Sequence, residues 1–193
     1  KAGGIETMGF QCRTNPPLAD PASRPAWNGW SPDLANTRFQ PAGVAKLTAA
    51  QVPKLKLKWA FGFPQGVSAN AQPTIASGRV FVGSDNGYVY SIDAKTGCVY
   101  WAFETGSIIR NAITVGPVKN VAKYAAFVGD GHANVFAINA QDGKLLWKTK
   151  TDPHFVARIT AGIKYFDNKV IVPVSSSEEF SSGNPGYSCC TSR

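Results

Sequence analysis

The sequence predicts an all-β fold, a β-propeller of four-stranded blades, and three observations carry that prediction. In 193 residues, 19 glycines, 13 prolines and 11% aromatic residues with a single methionine favour short strands and many turns over long helices. The stretch "VYSIDAKTGCVYWAFET" (89–105) recurs as "VFAINAQDGKLLWKTKT" (135–151). Each copy has an alternating strand, Asp93 or Asn139, then Gly97 or Gly143, then Trp101 or Trp147 four residues later. Finally, Trp59, Trp101 and Trp147 are spaced 42 and 46 residues apart, inside the range of roughly 40 to 50 residues for one propeller blade.

Residues 1–26 are expected to form an extended arm or linker, because "NPPLADPASRP" is rich in proline. Residues 27–193 then read as part of a propeller, truncated at its C-terminal end. A short helical turn is expected within "PAGVAKLTAAQVPKL" (41–55). In "KLKLKW", Lys54, Lys56 and Lys58 alternate with apolar residues, so they are expected on the solvated face of a strand. Blade one reads as "QPTIA", "VFVGS", "YVYSID" and "CVYWAFE", and blade two as "AITVG", "YAAFVGD", "ANVFAIN" and "KLLWKTK". Blade three begins with "ITAGIKYFDNKVIVPVSS" and departs from the repeat at "SEEFSSGNPGYSCC". In each turn the Asp or Asn side chain can close on its own backbone while Gly supplies a positive φ, and the tryptophan is placed to pack between blades. About three blades cannot close a ring that needs about four to eight. The chain therefore reads as a piece of a longer protein whose open blade edges invite association.

The net charge of +8 and pI near 9.4 allow an anionic ligand, partner or surface without choosing among them. Nucleic acid is disfavoured, because no aromatic residues interleave on the lysine face. No apolar run of 18 residues predicts a membrane span, and the first residues lack the layout of a signal peptide, so a signal has been removed or the chain begins elsewhere. The four cysteines contain no CxxC, hence no CxxCH for haem attachment, and no zinc-type spacing. Cys189 and Cys190 are adjacent. A disulfide between neighbours must be strained, since their Cα atoms lie about 3.8 Å apart and disulfides prefer roughly 4.4–6.8 Å. Such strain points to a site; the other reading is two free or separately paired thiols.

Counted along the repeat, the residues just before each innermost strand line one mouth of the central channel: Asn70, Arg110 and Arg158. Two arginines at equivalent places in successive blades repel unless an anion sits between them, or unless each makes an ordinary salt bridge.

The Asp/Asn-x-x-x-Gly-x-x-x-Trp turns resemble the tryptophan-docking repeats of quinoprotein alcohol dehydrogenases, eight-bladed propellers that bind pyrroloquinoline quinone. The adjacent Cys189 and Cys190 followed by Arg193 resemble the vicinal disulfide that covers that cofactor. With "WNGWSPDLANTRFQP" (27–41) and "VPVSSSEEFSSGNPGYSCCTSR" (172–193), the chain looks most like the N-terminal part of the polyvinyl-alcohol dehydrogenases of that family. The resemblance implies oxidation of alcohol groups, electron transfer to a cytochrome c, and a periplasmic or secreted location. It also implies a hard cation, usually Ca²⁺, beside the quinone, with Glu178 or Glu179 as a ligand or cofactor contact. The cofactor's three carboxylates suit the guanidinium forks of Arg110 and Arg158, with Asn70, Glu178, Cys189, Cys190 and Arg193 as further cofactor contacts. The family's catalytic aspartate lies beyond residue 193, so no catalytic residue is assigned. Cys12 and Cys98 remain, and a long-range bridge tying the arm to blade one accounts for both. His132 and His154 read as ordinary turn residues. The alternative function is a noncatalytic propeller scaffold binding protein partners, because assembly propellers share the docking turns.

Overall fold

The computed structural model describes residues 3–21 and 25–188, and within them the expected blades form. The arm is extended apart from one 3-10 turn at Ile5–Thr7, and a short helix α1 (Ala42–Ala45) and a second 3-10 segment (Ala49–Lys54) follow it. Blade one is the meander β1 (Thr74–Ala76), β2 (Arg79–Gly83), β3 (Tyr88–Asp93) and β4 (Val99–Glu104). Blade two is β5 (Thr114–Pro117), β6 (Tyr124–Gly129), β7 (Asn134–Asn139) and β8 (Leu145–Lys150). In both sheets the strands lie in sequence order and are antiparallel. The chain continues through a two-residue strand β9 (Ala157–Arg158), a hairpin of β10 (Lys164–Phe166) and β11 (Lys169–Ile171), then β12 (Ser175–Ser176), which returns to pair with β9. A one-turn helix α2 (Glu178–Ser181) closes the described chain.

The sheets stack face to face, and apolar side chains from facing blades fill the space between them. Phe81, Val89 and Trp101 of blade one meet Val115, Val128 and Phe136 of blade two in one cluster. Phe127 and Val135 meet Ile163 and Tyr165 in the next, where the Phe127 and Tyr165 rings stack with centroids 5.7 Å apart. On its other face blade one packs against Trp59, Phe61 and Phe63. The "KLKLKW" segment is not a strand, contrary to the sequence expectation: residues 55–63 pair with no neighbouring strand, and Leu57 is exposed. A period-two alternation specifies a strand only where an adjacent strand completes the ladder.

The tryptophans dock as the repeat requires. The Trp59 indole donates to the Ala94 carbonyl in the first turn, and the Trp101 indole to the Ala140 carbonyl in the second, each at 3.2 Å. Beneath each ring lies the turn glycine, Gly97 or Gly143, with φ of 79° and 78°. A Cβ there would be strained by that φ and would sit 2.9 Å or 2.8 Å from the indole, so only glycine allows both the turn and the contact. Asp93 Oδ1 closes its turn by accepting from the amides of Lys95 and Thr96, and Asn139 Oδ1 accepts from that of Gln141.

The N-terminal arm ties these parts together. Phe10 and Cys12 exchange backbone hydrogen bonds with Val99 on the outer edge of β4, and the Cys12–Cys98 disulfide locks this contact. Residues 15–19 then cross the end of the sheets, held by Arg79 and Gln141 and by Ser77 Oγ donating to the Ala19 carbonyl. At the inner edge Trp27 pairs antiparallel with Ile75 of β1, and the Asn28 side chain bonds both backbone groups of Val115 in β5.

Candidate functional site at the mouth of the hub

The innermost strands β1, β5 and β10 begin at one end of the stacked blades, which defines the mouth. The β2–β3 and β6–β7 turns lie at the same end. Asn70 is there and is oriented by a relay: its amide donates to Ser68 Oγ, which donates to Asp85 in the β2–β3 turn. Burial alone would raise the Asp85 carboxyl, but hydrogen bonds from Val67 and Ser68 outweigh it and hold the group below its ordinary value. Arg110 is exposed at the mouth, between blades one and two. Arg158 lies in β9, half-buried, opposite Ser175. Among the described residues no carboxylate comes within ion-pair distance of either guanidinium.

The two arginines are not at equivalent places in the repeat, which corrects the sequence expectation. The amide of Ile109 donates to Ser84 and that of Ile159 to Asp130, matching turn for turn, so Arg110 corresponds to Thr160 and Arg158 to Ile108. The cause is an insertion. Thr105 and Thr151 make the same pair of bonds to the Gly87 and Ala133 carbonyls, yet Ile109 follows four positions after the first and Ile159 eight after the second.

That insertion packs against the second departure from the repeat. The amide of Ser177 donates to Val156, and β9 pairs with β12, which brings α2 over residues 154–158. Glu178 is thereby buried. Its Oε1 accepts from the Tyr187 hydroxyl at 2.9 Å and lies 3.9 Å from His154 Nε2, while Ser176 Oγ donates to Oε2. His154 is therefore more than a turn residue, as its amide also donates to the buried carboxylate of Asp152 at 2.7 Å. His132 stays in its turn, where its amide donates to Asp130. Glu179 is exposed on α2 and is not brought together with Glu178. Cys189, Cys190 and Arg193 lie outside the described residues.

Sequence reasoning missed the chain that emerges from the hub. Gln72 Nε2 donates to the carbonyls of Gly29 and Trp30, and Trp30 lies against Gly162, so residues 29–30 cross from blade one to blade three at the mouth. The Arg38 guanidinium stands 4.2 Å over the Trp30 ring, with that tryptophan 40% exposed. The readable signal was two tryptophans in a short polar stretch, "WNGWSPD", outside the 42- and 46-residue spacing of the docking tryptophans.

Residues 30–178 match the family PQQ_2, described as outer membrane protein assembly factor BamB. The chain belongs to the PQQ_2 family. Within its reach, the chain is 40% identical over 187 residues to a polyvinylalcohol dehydrogenase of a Pseudomonas species, covering 96% of this chain and 29% of that protein. A second polyvinylalcohol dehydrogenase, from a Sphingopyxis species, is 40% identical over 185 residues, covering 95% of this chain and 28% of that protein. The chain thus spans less than a third of the length of these relatives. The crystal structure of the quinohemoprotein alcohol dehydrogenase of Comamonas testosteroni superposes with a TM-score of 0.66 at 22% identity, covering 80% of this chain and 24% of that one. At that identity the likeness establishes the fold, a partial propeller. The likeness to quinoprotein alcohol dehydrogenases expected from the docking turns is borne out by these relatives.

The mouth offers an anionic cofactor the guanidinium groups of Arg110 and Arg158, neither of which has a carboxylate within ion-pair distance among the described residues. It does not by itself form a cation cage: no group of three or more His, Cys, Asp or Glu side chains assembles among the described residues. Both Glu178 oxygens already have protein partners. The described residues therefore fit the quinone better than the cation.

Proposed function

We propose that this chain is part of a quinoprotein dehydrogenase that oxidises alcohol groups, with polyvinyl alcohol as the candidate substrate. The observation that carries this reading is the 40% identity to polyvinylalcohol dehydrogenases across nearly all of the chain. In this reading residues 1–26 are a strap and 27–193 a piece of the propeller. Bound pyrroloquinoline quinone would supply the two-electron acceptor. The residues of this chain would bind and orient it: Arg110 and Arg158 by charge-assisted bonds to carboxylates, and Asn70 through an amide fixed by the Ser68–Asp85 relay. Glu178, held by Tyr187, would present a fixed carboxylate toward the same mouth. The vicinal disulfide of Cys189 and Cys190, with Arg193 beside it, would cover the quinone. A cation such as Ca²⁺, with Glu178 or Glu179 among its ligands, electron transfer to a cytochrome c, and a periplasmic or secreted setting complete the reading.

The test is reconstitution of the full-length protein with pyrroloquinoline quinone and Ca²⁺, followed by dye-linked oxidation of a panel of alcohols that includes polyvinyl alcohol. Quinone absorbance retained after desalting together with alcohol-dependent dye reduction supports the proposal; neither would sink it. The second reading, a noncatalytic assembly scaffold, draws on the description of the matched family and is favoured by the second outcome.

A further inference from the structure

We propose that the cavity at the mouth beside Trp30 is a carboxylate-recognition subsite for a planar anionic ligand, with Lys164 as its charge and the Trp30 ring, backed by Arg38, as its wall. The inference deepens the function proposed above and rests on it, the ligand being the quinone.

The first support is a break in the repeat. In blade one Thr74 Oγ1 donates to the Ile113 carbonyl, and in blade two Thr114 Oγ1 donates to the Ile163 carbonyl, so a short buried hydroxyl ties each inner strand to the next blade. The third blade has Lys164 at this position, the residue following Ile163. A lysine cannot replace a buried threonine tie of this kind. Its ammonium reaches toward the hub instead, and Nζ lies 3.9 Å from where a Cβ on Gly29 would stand. Places where a repeat breaks its own local rule are where function is expected.

The second support is the space in front of that lysine. A cavity of about 380 Å³ is lined by Trp30, Asn36, Thr160, Ala161, Gly162 and Lys164, within the range of roughly 300–1,000 Å³ typical of small-molecule sites. Gly162 makes room for the tryptophan, since a Cβ there would lie 3.2 Å from Trp30 Cβ. The Trp30 ring offers a flat apolar surface, and the amide of Asn36 and the hydroxyl of Thr160 add hydrogen-bonding groups. A planar ring bearing carboxylates matches this combination.

The third support is charge. Among the described residues no carboxylate pairs with Lys164, Arg38 or Arg110. The acid closest along the chain to Lys164, Asp167, is exposed in the turn at the far end of β10, and the one closest to Arg38, Asp33, is committed to its own loop through the Thr37 amide and hydroxyl. Lys164 is half-buried, and a half-buried cation with no carboxylate partner among the described residues is well placed to bind one from a ligand.

The experiment measures quinone binding by the full-length protein, through quenching of tryptophan fluorescence and quinone absorbance after desalting, without reference to turnover. Lys164→Gln is expected to raise the dissociation constant about tenfold or more, the usual worth of one charge-assisted bond. Lys164→Arg should restore most of the affinity, and Trp30→Phe should keep binding near wild type while reducing the quench. Lys119→Ala, on a distant surface loop, serves as the control and should bind as wild type. Thermal unfolding of each variant separates loss of binding from loss of fold, and Arg38→Gln provides a second route if Lys164→Gln does not fold. Wild-type protein that binds quinone while Lys164→Gln and Arg38→Gln bind it within about twofold overturns the subsite and leaves the proposed function standing. Wild-type protein that binds none overturns both.

Discussion

Blades one and two share strand order, register, turn and tryptophan, yet their outer strands meet different surroundings. In β4 the alternate residues Val99 and Trp101 are buried, whereas β8 is exposed along nearly its whole length. Trp101 is 4% exposed and Trp147 38%. The difference lies outside the strands. β4 has the arm on its edge, a disulfide at Cys98 and the turn of blade two under its tryptophan, while β8 has Lys144 where Cys98 stands and no docking turn under Trp147 among the described residues. A blade's stability is therefore supplied largely by its neighbours, as in other repeat architectures.

The sharpest way to break this comparison is to remove the two tryptophans in turn. Trp101→Ala should cost about 3–5 kcal/mol, by loss of a buried ring and the cavity left behind. Trp147→Ala in the same 193-residue chain should cost less than about 1 kcal/mol. Urea denaturation of both variants checks this, and equal losses would mean the neighbouring turn contributes nothing. Next in size is Cys98→Ser, which frees the arm from β4. Closing a loop with a sequence separation of 86 residues is worth about 4.6 kcal/mol in the chain-entropy account, though measured effects are commonly about 2–4 kcal/mol. The urea midpoint should fall accordingly, and limited proteolysis should begin in the first twenty or so residues; an unchanged cleavage pattern would show that the hydrogen bonds to Val99 suffice alone.

The same contrast shows what the sequence could reveal. Everything that recurs was legible: eight strands of two blades, the Asx turns and the glycines under tryptophans; the Cys12–Cys98 bridge, which does not recur, was reached because these two cysteines remain once Cys189 and Cys190 are read as the vicinal pair that the family resemblance implies. The rest of what does not recur was not legible. Arg158 seemed equivalent to Arg110 because both precede an "IT" or "AIT" string, and the four-residue insertion after Thr151 was hidden by that short match. His154 and Tyr187 gather around Glu178 only because that insertion and the segment after β12 pack on each other, a contact between two irregular loops with no periodic trace. The path of residues 27–30 into the hub is likewise set by pairing with β1 and β5 rather than by any local propensity.

A finer comparison concerns the two turn glycines. Gly143→Ala is expected to cost about 1–3 kcal/mol, combining a strained positive φ with displacement of a buried indole. Gly97→Ala should cost somewhat less, because the ring above it, Trp59, is only half-buried and can shift. Thermal unfolding of the pair tests the ordering, and the reverse order would place the rigid contact on the arm side of blade one.

The smallest expected effect is one of pH, and it separates the blades chemically. Tyr100 and Asp93 of blade one share a hydrogen bond of 2.6 Å, with the Arg79 guanidinium 4.0 Å from the tyrosine ring, whereas blade two has Leu146 and Asn139 in their places and cannot titrate there. Burial, then the bond to Asp93, pushes the Tyr100 hydroxyl up to about 12. Burial would raise the Asp93 carboxyl, but bonds from Tyr100, Thr96 and the turn amides prevail and hold it below its ordinary value. A raised tyrosine stabilises the fold fully below the unfolded value near 10, and that contribution is lost as pH rises toward 12. A lowered carboxyl stabilises above the unfolded value of about 3.9, and its contribution is lost as pH falls through the folded one. Each effect should stay below about 1 kcal/mol, because the pair is partly solvated. Tyr100→Phe should remove this alkaline contribution and leave the Asp93 carboxyl nearer its ordinary value, so that melting temperature falls less steeply above pH 10 and also less steeply in acid. A Tyr100→Phe profile parallel to wild type at both ends would place the pH sensitivity elsewhere, with Tyr88, also pushed up to about 12 by burial and then by Glu104, the next group to substitute.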